Sequence, residues 1–373
     1  MLGLFFGEEV KQIVRWPCLN QFQHAGVEVP RGFLALDCDQ QDILDYVDTV
    51  AGTLVEIGYE PAPVPATLDM SDLIGRLKEI KPVFVVNLVD ALHDHDQLLY
   101  LVPSVLEAFH IPCTGVNARG NFLTTDKILA KEMLELAGIS TPPWQRCDDV
   151  LSAGARVAMP CIVKPVCFDA SRGMDEKSIC REASELSKKV SALPPRDRFS
   201  FFAEHFIDGR EFNLSVLARE DGVRVLPPAE MLFVDYPADK PKIVDFKAKW
   251  VPDSFEFTHT PRRFDFPDDD QPLLEELKSL SLRAWNLFGL SGYARVDFRV
   301  DRSGKPWVLE INANPCISPD AGFVAAAEKA GMTYTQIIKA IVDDTLRREA
   351  RLSGDEEQKA RRRARRRVLD KKR

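Results

Sequence analysis

At 373 residues the chain has room for two or three domains with cores of their own. Its 45% hydrophobic and 28% charged residues are ordinary for a folded protein, and no stretch approaches the roughly 20 apolar residues that cross a bilayer, which leaves a membrane role without support. The net charge of −8 hides an asymmetry: Lys359 to Arg373 hold ten Lys or Arg and one Asp, +9, so the remainder carries −17; an acidic body argues against general nucleic-acid binding, and an anionic ligand would have to be held by a few focused cations.

The opening MLGLFFGEEVKQ meets Glu8 and Glu9 after a few apolar residues, without the basic start and long apolar core of an export signal. The eight cysteines show no Cys-x-x-Cys pair and no zinc spacing, which suits reduced thiols in a cytoplasm. From about 81 to 118, an apolar run (VFVVNLV), a helical pattern (DQLLYLVPSVLEAFH) and a short strand (IPCTGVN) read as the end of an open, mostly parallel sheet domain. TTDKILAKEMLELAGIS then offers helix caps, a stripe through Ile128, Leu129, Met133 and Leu136, and Gly138 as the stop. PCIVKPVCFDASRGM reads as strand and loop, REASELSKKVSAL as a helix, and FFAEHFIDGREFNLSVLA as two strands, the second with Phe212, Leu214 and Val216 on an apolar face. PLLEELKSLSLRAWNLFGL is an amphipathic helix, and DAGFVAAAEKAGMTYTQIIKAIVDDTLRREA closes the fold with helices. The last stretch, DEEQKARRRARRRVLDKKR, reads as frayed helix or disorder, solubilising or able to meet nucleic acid or an acidic partner.

YARVDFRVDRSGKPWVLEINANPC, residues 293–316, places acids on otherwise buried strands. Alternation puts Ala294, Val296, Phe298 and Val300 on a core face with Tyr293, Arg295, Asp297 and Arg299 opposite; over 307–312 it groups Trp307, Leu309 and Ile311 against Val308, Glu310 and Asn312. A hairpin centred on Ser303 and Gly304 sets Asp297 opposite Glu310 and Arg295 opposite Asn312. Two facing carboxylates repel unless a cation lies between them. Hard oxygen ligands without nearby His or Cys favour Mg²⁺ completed by phosphate oxygens; a solvated polar face with weak pairs to Arg295 and Arg299 is the alternative.

No P-loop and no dinucleotide fingerprint is present, so a phosphate grip must be built differently. Lys164 ends the apolar strand CIVKP, and Lys249 sits in DFKAKW; each either meets a buried anion or snorkels to the surface. The loop after Lys164 contains Ser171 and Gly173, which either close over phosphates or form a plain surface loop. Glu204 and Glu211 flank HFIDGR, a hinge whose backbone suits an adenine edge and whose carboxylates suit ribose hydroxyls.

In order and spacing, TTDKILAK, CIVKP, FAEHFIDGREFNLSVL, DFKAKW, GYARVDFRVD, VLEINANP and AGMTYTQII resemble the ATP-grasp superfamily, in its D-alanine:D-alanine ligase branch, from about 81 to 345. The resemblance implies an α/β and α+β ATP-grasp fold: an N-terminal open α/β domain over 1–120 on the substrate side, a central subdomain over 121–206, a C-terminal subdomain with the metal site over 207–350, and a basic tail over 351–373. It implies an enzyme that moves the γ-phosphate of ATP to a carboxylate, giving an acyl phosphate that an amine attacks to form an amide. By position, Lys127 and Lys164 would hold phosphates, Glu204 the adenine amino group beside the backbone of His205, Phe206 and Ile207, and Glu211 the ribose. Asp297, Glu310 and Asn312 would hold Mg²⁺, with Mn²⁺ as a substitute. Lys249 would lie over the transferring phosphate, Arg295 at the reacting carboxyl and Ser171 in a mobile loop; homodimerisation is a family expectation.

Departures fall where substrate is read. The family's N-terminal Gly-Gly loop has no clear match, its His-Gly loop becomes LVDALHDHDQ, and a glycine of its oxyanion site is Cys316, followed by ISPDAGF. His93 and His95, spaced to share one side of a strand, are candidates for substrate or metal contact, or polar surface. Cys316 is a candidate nucleophile or inert packing. The expected activity is therefore an amide-forming ligase for amino-acid-like carboxylate and amine substrates other than a D-alanine pair; the alternative is a non-catalytic ATP-binding sensor or partner.

Overall fold

The computed structural model describes residues 2–7, 38–93, 95–168 and 174–370, so Glu8, Glu9 and Ser171 lie outside the described residues. The chain divides into two compact units, one of Met1–Val89, Val102–Gly115 and Thr335–Arg373, the other of Asp90–Leu101 and Val116–Tyr334.

The first unit holds a three-stranded sheet of β1 (Leu2–Gly7), β2 (Pro61–Pro65) and β3 (Pro82–Val86) in the order β2-β1-β3. Both pairings are antiparallel, and a parallel contact occurs at the isolated bridge between Val85 and Cys113. The mostly parallel sheet expected from sequence is thus not what the described strands form, because an apolar run such as VFVV signals burial and not strand direction. The helix Met70–Ile80 starts where Asp69 accepts from the amides of Ser71 and Asp72 at 3.0 and 3.1 Å. The last helix, Tyr334–Asp370, runs unbroken through 351, so no element ends at the expected tail boundary, and from Thr335 it belongs to this unit. Arg348 ties it down by donating to the carbonyls of Cys113 and Gly115 at 3.1 and 3.3 Å, a link between residues more than 230 apart that no local pattern announces. Among the described residues no helix is long and apolar enough to cross a membrane.

The second unit holds two antiparallel sheets. The smaller comprises β4 (Trp144–Arg146), β5 (Cys161–Pro165), β6 (Ile179–Cys180) and β7 (Phe201–His205), ordered β4-β7-β5-β6. The larger comprises β8 (Gly209–Arg219), β9 (Gly222–Val225), β10 (Ala229–Met231), β11 (Arg262–Arg263), β12 (Tyr293–Asp301) and β13 (Pro306–Asn312), ordered β11-β10-β8-β12-β13 with β9 also on β8. Its core face is the one alternation predicts: Phe212, Leu214, Val216, Ala294, Val296, Phe298 and Val300 are all 0 or 1% exposed and pack with Leu277, Ala284 and Phe288 of the helix Gln271–Phe288. Burying each of the larger side chains among these stabilises by roughly 1.5–3 kcal/mol, so this face fixes which side of the sheet is left for chemistry. At the start of β8 only glycine fits, since a Cβ on Gly209 would lie 1.9 Å from the Val300 carbonyl oxygen.

The β12–β13 hairpin pairs Arg295 with Asn312 and Asp297 with Glu310, as its arithmetic expects. Nearer the turn the register differs by one, with Phe298 opposite Val308 and Val300 opposite Pro306. A bulge takes up the difference at Leu309. It overturns the simple alternation expected over 307–312: Val308 and Ile311 both enter the core, while Leu309 and Glu310 both line the cleft described next.

Candidate active site

The sheet faces left free of core meet in a cleft of about 780 Å³, counted to its open mouth. The smaller sheet contributes Lys164, with Glu204 opposite Ile162 and therefore on the same face. The larger contributes Glu211, Asp297, Arg299 and Glu310. The helix Lys127–Leu136 brings Lys127 to the cleft, its start fixed by Asp126, which accepts from Ile128 and Leu129 amides at 3.0 and 2.9 Å. Lys249, on the short helix Phe246–Trp250, and residues 205–207 complete it.

The charges interlock. Glu204 is 1% exposed and accepts from Lys164 Nζ at 2.6 Å; its other oxygen meets Lys131 Nζ. Burial pushes the Glu204 carboxyl up, and Lys131 and then Lys164 more than reverse this, holding it below the ordinary value. Burial holds Lys131 below the usual lysine value despite the pull of Glu204. Lys131 also donates to Thr141 Oγ1 at 2.7 Å, and Thr141 to the Val308 carbonyl at 2.8 Å. Lys127 Nζ lies 3.5 Å from Glu310 and donates to the Phe168 carbonyl at 2.8 Å. Burial alone would raise Glu310; Lys127, Lys249, Arg295 and Lys164 together bring its carboxyl down to about 2.

Asp297 accepts a bidentate pair from Arg295, Nε to Oδ1 at 2.7 Å and a terminal nitrogen to Oδ2 at 2.8 Å, and an Asn213 amide at 2.8 Å. Glu211 pairs with Arg299 at 2.8 Å, and burial raises it despite that pair. Arg299 also donates to the Gly209 carbonyl at 3.2 Å and lies 5.6 Å from the Phe206 ring centre.

Of the residues singled out from sequence, Lys127, Lys164, Glu204, His205, Phe206, Ile207, Glu211, Lys249, Asp297 and Glu310 line one cleft. Arg295 and Asn312 are paired neighbours on the adjoining rows of the hairpin. Cys316, His93 and His95 do not line it. The two histidines are exposed on a turn closed by a Leu92–His95 bridge, with His93 at φ 51°, and not on one side of a strand; their ring centres lie 6.4 Å apart. Cys316 is exposed as a residue, while groups around its sulfur take water from it and push its thiol up. Among the described residues no three His, Cys, Asp or Glu converge as a metal cluster; the candidate donor set is two carboxylates and the Asn312 amide.

A family model described as D-ala D-ala ligase C-terminus matches residues 133–343, more than half of the chain. The chain belongs to the D-alanine–D-alanine ligase family. A D-alanine–D-alanine ligase of Methylococcus capsulatus is 30% identical over 275 residues, covering 73% of this chain and 82% of its own. An uncharacterized protein, y4sG, of Sinorhizobium fredii is 28% identical over 306 residues, 81% of this chain and 87% of its own. The solved structure of the Bacillus anthracis D-alanine–D-alanine ligase complexed with ATP matches with a TM-score of 0.58 at 25% identity, covering 77% of this chain and 87% of that one. The fold is accordingly ATP-grasp, and the family is one of ATP-dependent ligases.

Two members of the charge network were missed from sequence. Lys131 lies four residues after Lys127 on the same helix face, and i, i+4 spacing was the available signal; it is 1% exposed, whereas Leu136, expected in the apolar stripe, is 90% exposed. Arg299 was grouped with the polar face, but its pairing with Glu211 depends on the β8–β12 register, which sequence does not state.

Proposed function

We propose that this protein is an ATP-dependent ligase that joins a carboxylate to an amine, with amino-acid-type substrates other than a D-alanine pair. What carries this is the gathering of Lys127, Lys164, Lys249, Asp297 and Glu310 with Glu204 and Glu211 in one cleft. Lys127 and Lys164 now face protein carboxylates, and a polyphosphate offers them equivalent anionic partners. The amides of His205 and Phe206 already donate to the Pro143 and Pro160 carbonyls at 2.8 and 2.9 Å, so an adenine edge at this hinge would meet the Ile207 amide. Glu204 would take the adenine amino group, and Glu211 the ribose hydroxyls.

Asp297, Glu310 and Asn312 fit Mg²⁺: the donors are hard oxygens, no imidazole or thiolate is among them, and Glu310 is held ionised. When bound, the ion would supply neutralising charge to the phosphoryl group. Lys249, which also lines the cleft, would add charge against the transferring phosphate. Arg295, oriented by its bidentate grip on Asp297, would stabilise the oxyanion formed as the amine attacks. A substrate other than D-alanine is supported by the departures at Cys316, ISPDAGF and LHDHD.

The test is ADP release from the purified protein with Mg²⁺, ATP and pooled D- and L-amino acids and small carboxylates, with product masses followed alongside. Glu310→Gln is expected to lower release at least about 1,000-fold. Failure to bind Mg-ATP, or turnover indifferent to Glu310, would sink the proposal.

A further inference from the structure

The sheet face that carries the cleft also carries a cation for which the proposed nucleotide chemistry has no use. Register runs from Arg262 of β11 to Met231, from Met231 to Glu211 and from Glu211 to Arg299, so these four side chains project from one face. Arg263 projects from the other and pairs with Glu230. Neighbouring arginines of this sheet each hold a carboxylate: Arg210 with Glu230 and Asp270, Arg295 with Asp297, Arg299 with Glu211. Among the described residues Arg262 has no such partner. One nitrogen donates to the Asp320 main-chain carbonyl at 3.3 Å, leaving most of its five donors for another acceptor. Its side chain lies against Gly322, where a Cβ would come within 3.3 Å of Nε, so the glycine makes its room.

The residue as a whole is exposed, which leaves it open to a ligand. The chain still crowds the guanidinium enough that burial, and then the charge of Arg295, push it below the ordinary arginine value against the pull of Asp320. Two guanidinium groups thus act on each other, while Asp297 is already held bidentately by Arg295 and the carboxylate of Asp320, which accepts from the Ser318 hydroxyl, makes no ion pair with Arg262. The single carboxylate of a neutral amino acid is the group that reacts or is read elsewhere in the site; a substrate with one more carboxylate can give Arg262 the ion-pair partner it lacks among the described residues, in the planar geometry a guanidinium favours.

We infer that Arg262 sets substrate specificity by receiving a carboxylate beyond those a neutral amino acid carries, so that one substrate is a net-anionic, amino-acid-like dicarboxylate. This rests on the ligase reading above.

The experiment compares aspartate with asparagine and glutamate with glutamine, both enantiomers of each, as substrates of the full-length protein with Mg-ATP, each added to pools of neutral amino acids and monocarboxylates from which these four are left out, and with the neutral pools alone as the baseline. An acidic substrate is expected to exceed its amide isostere about 100-fold in kcat/KM. Arg262→Met is expected to cut that ratio to within about threefold, chiefly through KM, and Arg262→Lys to retain part of it; the melting temperature checks that each variant folds. Equal use of acid and amide, turnover with neutral amino acids alone, or a preference that survives Arg262→Met overturns the Arg262 assignment and leaves the ligase standing. No ADP release with any substrate overturns the ligase, and the assignment with it.

Discussion

The cleft and the face beyond Asp297 balance charge in opposite ways. In the cleft, acids and bases meet inside the protein: Lys131 and Lys164 share Glu204, Lys127 faces Glu310, and Arg299 holds Glu211. Beyond Asp297, Arg262 meets a main-chain carbonyl, a second arginine and the weaker pull of Asp320, with no ion pair among the described residues. A buried charge with its partner in the chain is part of the fold; a cation with no ion-pair partner among the described residues points to a ligand that brings one.

That contrast breaks most visibly at Lys131. Removing one partner of a buried pair costs about 3–5 kcal/mol, so Lys131→Met should lower the melting temperature sharply and raise the KM for ATP, because Glu204 loses the cation on one oxygen. Lys131→Met with Glu204→Gln should regain stability without regaining ATP affinity. Arg262→Met, with no ion pair to lose, should leave stability within about 0.5 kcal/mol. If both single variants melt alike, the distinction between the two regions fails.

How much of this was legible follows the same divide. The core faces of β8 and β12 were readable because alternation reports burial directly. Asp297 and Glu310 were placed correctly, though by a turn register that a bulge at Leu309 then restored; the hairpin arithmetic assumed a regular ladder, and a single extra residue moves Val308 to the core. The antiparallel β1, the return of the last helix to the first unit, and the pairs Arg299–Glu211 and Lys131–Glu204 depend on contacts distant in sequence. Arg262 was invisible for a further reason: an arginine in PRRF has no signature until the register states which of two adjacent arginines faces the site.

Acid stability tests the cleft more finely. Glu310 sits near 2 when folded and near 4.5 when unfolded, so between these values the unfolded chain binds a proton that the folded one does not. Stability contributed above 4.5 is lost as pH falls through that window; with the side chain 25% exposed, on the order of 2 kcal/mol is at stake. Glu211 works the other way: its raised value stabilises below the unfolded pKa and fades as pH rises through the folded one. Melting temperatures between pH 5 and 2.5 should therefore fall less steeply in Glu310→Gln than in the parent, and Glu211→Gln should gain relative to the parent towards neutral pH. Parallel curves for all three would refute the assignment of these charges.

The smallest effect is expected at Cys316. A nucleophilic cysteine needs its thiolate favoured by a nearby cation or helix start. Here desolvation pushes the thiol up, Ser318 pulls it down, with Sγ 3.2 Å from its hydroxyl, and Asp320 and Asp90 push up again. Cys316→Ser should thus leave ADP release within about twofold, and alkylation at pH 7 should run no faster than for a free thiol of ordinary pKa. A loss of tenfold or more, with the same melting temperature, would mean that the sulfur touches the reacting atoms. The substrate side would then hold catalytic chemistry as well as specificity, and Arg262 would have to be weighed as part of that machinery.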